Sequence, residues 1–172
     1  MMERLVTALR EQGGLLAEFT MTPANNRPQQ PGPPQTAADG PRTAGREAEY
    51  ELLLEMIFEG SLLHYGSPRV VRADDPDLAL LLGDHLYALG LTRLAALGDL
   101  EAVAELADVI SLISQAHAAG NPALAEAVWE AGAVAVGWGS SNDHQAAKAL
   151  VRGGDPGACA ALRAAARAAS PS

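Results

Sequence analysis

Three dipeptides punctuate this chain in the same way: Asp75-Pro76, Asn121-Pro122 and Asp155-Pro156. Each sets a side-chain oxygen at a helix N-cap and a proline at the first helical position, where its missing N–H costs nothing and its fixed φ already suits the helix. Gly98 before Asp99, and Gly120 before Asn121, read as helix stops followed at once by new caps. Asn142 and Gln145 have capping-box spacing, and Gly153-Gly154 closes that segment. This punctuation predicts helices at about 46–65, 76–97, 100–118, 122–138, 143–152 and 156–169. Glu3 to Gln12 adds a short N-terminal helix that Gly13-Gly14 ends. Short links between long helices favour antiparallel neighbours, so the expected fold class is all-α, an antiparallel helical bundle.

The apolar spacing agrees. Leu106, Val109, Ile110, Ile113 and His117 share one helical face, while Glu101, Glu105 and Asp108 lie on another. Ala125, Val128, Trp129, Gly132 and Val136 repeat the pattern in the next segment. Leu78, Leu81, Leu82, Leu86 and Leu89 give a broad apolar surface. Tyr50 to Leu63 is apolar on most sides and is expected to be the most buried element. The wealth of Ala and Leu and the scarcity of aromatic residues fit helix better than sheet.

Residues 20–45 differ from the rest. They hold Pro23, Pro28, Pro31, Pro33, Pro34 and Pro41 among Asn, Gln, Thr and Gly, a composition expected of a disordered spacer rather than a proline-motif ligand. The expected organisation is a short helix at 1–19, this linker at 20–45, and a helical bundle domain at 46–170.

Charge and composition exclude several functions. A net charge of −9 repels a nucleic-acid backbone, and Arg163 with Arg167 is too small a basic patch to reverse that. Cys159 is the only cysteine, so the chain has no internal disulfide and no cysteine-based metal site of its own. The N-terminal residues lack a signal-peptide apolar core, and no apolar run reaches the ~20 residues of a membrane helix. A cytoplasmic protein without a transmembrane segment is the expectation. The four histidines, His64, His85, His117 and His144, show no metal-binding i, i+4 pair, and no nucleophile elbow or P-loop occurs.

Ser61-Leu62-Leu63-His64 resembles the stretch that runs into the first aspartate-rich motif of polyprenyl diphosphate synthases. Gly66-Ser67-Pro68-Arg69-Val70 resembles the Gly-Lys-Pro-Thr-Val that follows that motif in the family. Leu80-Leu81-Leu82-Gly83-Asp84-His85-Leu86-Tyr87-Ala88 is similar to the family's Leu-Val-Gly-Asp-Tyr-Leu-Leu-Ala segment, and Ala123 to Gly139 to a later helix. The resemblance covers roughly 47–140 and implies part of the isoprenoid synthase fold. It implies a substrate-binding set of His64, Arg69, Asp84 and Tyr87.

The departures matter as much. In the family, an Asp-Asp-x-x-Asp helix holds magnesium against the substrate diphosphate, since magnesium prefers carboxylate and phosphate oxygens and helps the diphosphate leave. Here Tyr65 and Gly66 follow His64 directly, the basic pair after the motif is absent, and only Asp155 stands where the second aspartate motif would be. Asp74, Asp75 and Asp77 are the remaining metal candidates, and helix capping is the better reading of them. No catalytic residue and no cofactor is therefore expected.

The resulting expectation is a non-catalytic relative of the prenyl synthases, acting as a homo- or hetero-oligomeric partner or regulatory subunit of a synthase-like protein. The alternatives, in order, are a carrier that holds an isoprenoid or quinone tail in an apolar helical channel, and a residual prenyltransferase. A helical interaction module unrelated to isoprenoids is a further reading.

Overall fold

The computed structural model describes residues 2–22 and 31–170. Pro23 and Pro28 lie outside the described residues. The fold is an all-α helical bundle. Among the described residues there are nine α-helices: α1 (Met2–Gln12), α2 (Gly14–Phe19), α3 (Pro33–Ala38), α4 (Glu47–Tyr65), α5 (Pro76–Ala96), α6 (Leu100–Ala118), α7 (Pro122–Trp138), α8 (Asn142–Arg152) and α9 (Ala158–Ala169).

The caps act as their chemistry requires. Asp75 Oδ1 accepts from the N–H groups of Asp77 and Leu78, at 2.9 and 3.4 Å, and so starts α5. Asp99 and Asn121 accept from Ala102 and Leu124 in the same way. Two starts differ from the expectation. Ser141, not Asn142, caps α8 by accepting from His144 N, and Gln145 reaches Ser140 Oγ instead of closing a capping box. Asp155 turns its carboxylate onto Gly157 N, so α9 begins only at Ala158.

α4 and α5 pack along each other, with α6 and α7 forming the next antiparallel pair and α9 lying across α7 and α8. The α4–α5 approach is close because Gly60 and Gly83 face one another. A Cβ on Gly60 would sit 2.9 Å from the Gly83 carbonyl oxygen, and one on Gly83 would sit 2.7 Å from the His64 ring. Leu53, Leu54, Met56 and Ile57 fill the α4 side of the core, each contributing about 1.5–3 kcal/mol on burial.

α7, not α4, is the most buried helix. It buries 11 of 17 residues against 10 of 19 for α4. Its Ala and Gly positions let neighbours close in around most of it, leaving a stripe at Ala123, Glu126 and Glu130 exposed. Among the described residues, α5 alone is long and apolar enough to cross a membrane, and it lies against α4 with about a third of its apolar stretch buried.

Residues 31–45 of the proline-rich segment adopt defined structure, contrary to the expectation of a spacer over this stretch. α3 and a 3-10 turn at Pro41–Thr43 dock onto α4 and α7, burying Pro34, Ala37, Ala38 and Thr43. Tertiary contacts supply what composition did not suggest. Gln35 Nε2 donates to Glu51 and Glu55 at 2.8 and 2.9 Å. Arg42 Nη1 donates to the Val136 carbonyl at 2.7 Å, satisfying an acceptor near the end of α7. Gly40 rests directly against Gly137.

The N-terminal helices dock as well. Leu5, Val6, Leu9 and Leu16 are buried. Met21 N donates to Val70 O at 2.7 Å, and Arg72 N to Phe19 O at 3.0 Å, tying this segment to the loop after α4.

Candidate functional site

A cleft of about 860 Å³ opens between α3, α4, α6, α7 and α9, within the size range of small-molecule sites. Phe58 and Leu62 from α4, Ile113 from α6, and Trp129 and Val134 from α7 supply its apolar surface, and Pro31, Pro33 and Thr36 close one side. Phe58 and Trp129 meet edge to face, with centroids 5.1 Å apart and planes at 85°, the geometry their quadrupoles favour. Tyr65 at the end of α4 stacks on His117 at the end of α6, with centroids 4.3 Å apart. Both line the cleft and are its principal polar rings, while Glu126 and Glu130 stand on its α7 side.

Of the four residues expected to bind substrate, three come together, but between α4 and α5 and not in the cleft lining. The His64 and Tyr87 rings stack at 5.2 Å and 5°. His64 Nε2 lies 3.0 Å from Asp84 Oδ1, yet the approach does not form a hydrogen bond, and the Tyr87 hydroxyl also has no protein partner. Burial pushes the Tyr87 phenol well above its usual range, with Tyr65 and Asp84 adding to the effect, so it remains protonated.

Arg69, the fourth, is engaged elsewhere. Its Nη2 lies 2.6 Å from Glu55 Oε2 and its Nε 3.0 Å from Glu59 Oε2. Its guanidinium also covers the Phe58 ring at 5.0 Å, a cation–π contact. Glu59 accepts in addition from the N–H groups of Arg69, Val70 and Val71, at 2.7, 2.7 and 3.1 Å. That buried carboxylate organises the loop joining α4 to α5, and Arg69 neutralises it.

A second charged cluster joins α6 to α8. Glu105 Oε1 accepts from His144 Nε2, and Glu105 Oε2 from Lys148 Nζ, both at 2.7 Å. Lys148 also reaches Asp108 at 2.7 Å, and Arg152 reaches the same carboxylate at 2.8 Å. Burial alone would raise Asp108, but the Lys148 and Arg152 contacts outweigh it and hold the carboxyl below its usual range. Each charge here has an opposite partner, so the cluster acts as a staple between helices.

Asp75 is committed to capping α5. Among the described residues, no three His, Cys, Asp or Glu side chains are grouped so as to hold a metal ion. Sequence reasoning missed the cleft because Phe58, Ile113 and Trp129 read as core positions, and Tyr65 as an ordinary helix end. The available signal was that Tyr65 and His117 each close a helix, two elements apart in a chain of antiparallel neighbours, which sets both helix ends on one side of the bundle. No protein-family model matches the chain, and no curated protein or solved structure matches it either.

Proposed function

We propose that this chain is a non-catalytic, isoprenoid synthase-like binding protein whose cleft holds an apolar tail. The observation that carries this reading is the aromatic and aliphatic cleft of about 860 Å³, lined by the Phe58–Trp129 pair. The carboxylates that approach it are weak candidates for chemistry. Glu55 and Glu59 are both engaged by Arg69 behind the wall, and Glu126 and Glu130 both by Arg163. The sequence resemblance supplies the chemical class of the tail.

Isothermal titration with a long prenyl alcohol tests this. Saturable one-site binding is expected, weakened about tenfold or more by Trp129→Ala, while Leu81→Ala on the far side of α5 leaves it unchanged. Absence of saturable binding to the parent protein would end the reading.

A second reading, a partner subunit for a synthase-like protein, draws on α5. Its outer face exposes Leu80 at 43% and Leu81 at 56%, apolar surface of the kind that subunit contacts cover. Sedimentation of the chain alone and mixed with a prenyl synthase would show a heavier species that Leu81→Asp dissolves. A monomer in both experiments would remove this reading.

A further inference from the structure

The cleft has a sign as well as a shape. Its charged lining residues are Glu126 and Glu130, and among the described residues no Lys or Arg lines it. Arg163 on α9 meets both acids, Nε at 3.1 Å from Glu130 and Nη2 at 3.5 Å from Glu126, so one cation stands against two carboxylates. The layer behind repeats that ratio, with Arg69 shared by Glu55 and Glu59. The start of α7 offers an anion little. Pro122 has no N–H, and Leu124 donates to Asn121 Oδ1 at 3.0 Å. A diphosphate is recognised by Arg or Lys forks, free helix N-termini or a bridging cation. Here it would meet two acids set against one cation, all three partly open to solvent.

Resting on the cleft reading above, we propose that the occupant is an uncharged chain-like amphiphile, and that the cleft discriminates against the same chain carrying a diphosphate. The chain lies against Phe58, Ile113 and Trp129. The hydroxyl or carbonyl head sits beside Tyr65 and His117, whose rings supply polar atoms at the helix ends. Glu126 and Glu130 set the exclusion, because each repels a phosphate while leaving a neutral head unaffected.

Geranylgeraniol and geranylgeranyl diphosphate, titrated into the full chain without divalent cations, test the proposal. The alcohol is expected to bind about tenfold or more tightly than the diphosphate, with the gap narrowing as salt is raised. In the Glu126→Gln, Glu130→Gln double variant the diphosphate should gain affinity and the gap should close, with the thermal midpoint reporting that the fold is kept. Equal or tighter binding of the diphosphate by the parent would overturn the charge inference and leave the cleft reading standing. A gap that the double variant fails to narrow would also overturn it. Binding of neither compound would overturn the cleft reading, and the inference with it.

Discussion

Gly40→Ala is the most informative single substitution, because it acts on the close backbone approach between the proline-rich segment and α7. A Cβ on Gly40 would lie 2.2 Å from the Gly137 carbonyl oxygen and 2.4 Å from Gly137 Cα. Ordinary non-bonded contacts begin near ~3.5 Å, so one backbone must withdraw by about 1 Å. α7 is held by α6, α9 and α3 over most of its surface, so the segment that yields is α3 with its 3-10 turn. That shift strains the Arg42–Val136 hydrogen bond of 2.7 Å and the three 2.9 Å bonds from Thr43 Oγ1 to the carbonyls of Ala37, Ala38 and Gly40. Overpacking of this kind costs about 1–3 kcal/mol. For a chain of this length the melting temperature should fall by about 2–12 °C. Hydrogen exchange in residues 31–45 should accelerate more than in α4 or α7, and prenyl-alcohol binding should weaken, since Pro31, Pro33 and Thr36 form one wall of the cleft. Gly32→Ala is the control: its Cβ would meet nothing closer than Gln35 Oε1 at 3.5 Å, and its φ is ordinary. If Gly40→Ala melts with the parent and keeps its exchange protection, the docking of this segment is not as described.

Three further outcomes are expected. Glu105→Ala strands His144 and Lys148 without their shared carboxylate in a buried site, and should cost about 3–5 kcal/mol by urea denaturation. Tyr87→Phe removes a buried hydroxyl that has no protein partner and should be neutral or raise stability by up to about 1 kcal/mol; a clear loss would mean the hydroxyl is satisfied. Stability should decline at both ends of the pH scale, followed by chemical denaturation. Asp99 and Asp108 are held below the usual carboxylate range, Asp99 because its Ala102, Tyr50 and Arg42 contacts outweigh the effect of burial. Their contribution is complete above the unfolded value of ~3.9 and is lost as pH falls through the lower folded values. Tyr50 is pushed up to about 12 by burial and by the Asp99 carboxylate 2.7 Å from its hydroxyl. The unfolded chain therefore releases this proton first, and stability should fall as pH rises from ~10 towards that value.

The helices were legible in the sequence because their ends are written in local chemistry. An N-cap side chain and a proline at the next position act within one turn, so α5 and α7 start where Asp75 and Asn121 place them. The fates of the acidic residues were not legible. Glu105 shares a sequence face with Glu101 and Asp108 and reads as a solvated residue, yet it is buried, because Lys148 and His144 arrive from α8, about forty positions later. Glu59 shows the same effect through the backbone of its own following loop. Burial of a carboxylate is a property of what is brought to it, and periodicity records only what lies beside it on the same helix.

The same reasoning explains why the cleft and the sequence-expected binding set parted. His64 and Tyr65 are neighbours in sequence and about 100° apart around α4. His64 turns towards Gly83 and Tyr87 on α5, and Tyr65 towards His117 on α6. The linear resemblance stops at His64 and passes over Tyr65, whereas the bundle gives each a duty, one at a helix seam and one on a concave wall. The seam is closed by Gly60 and Gly83 to a separation that would not admit a methyl group on either. The wall retains about 860 Å³ because Ala123, Ala125 and Gly66 contribute little side chain to it. Filling that volume from within, by Ala125→Phe, should therefore abolish prenyl-alcohol binding while leaving the His64–Tyr87 stack intact. A variant that stays folded and still binds the alcohol at parental affinity would place the ligand site outside this cleft.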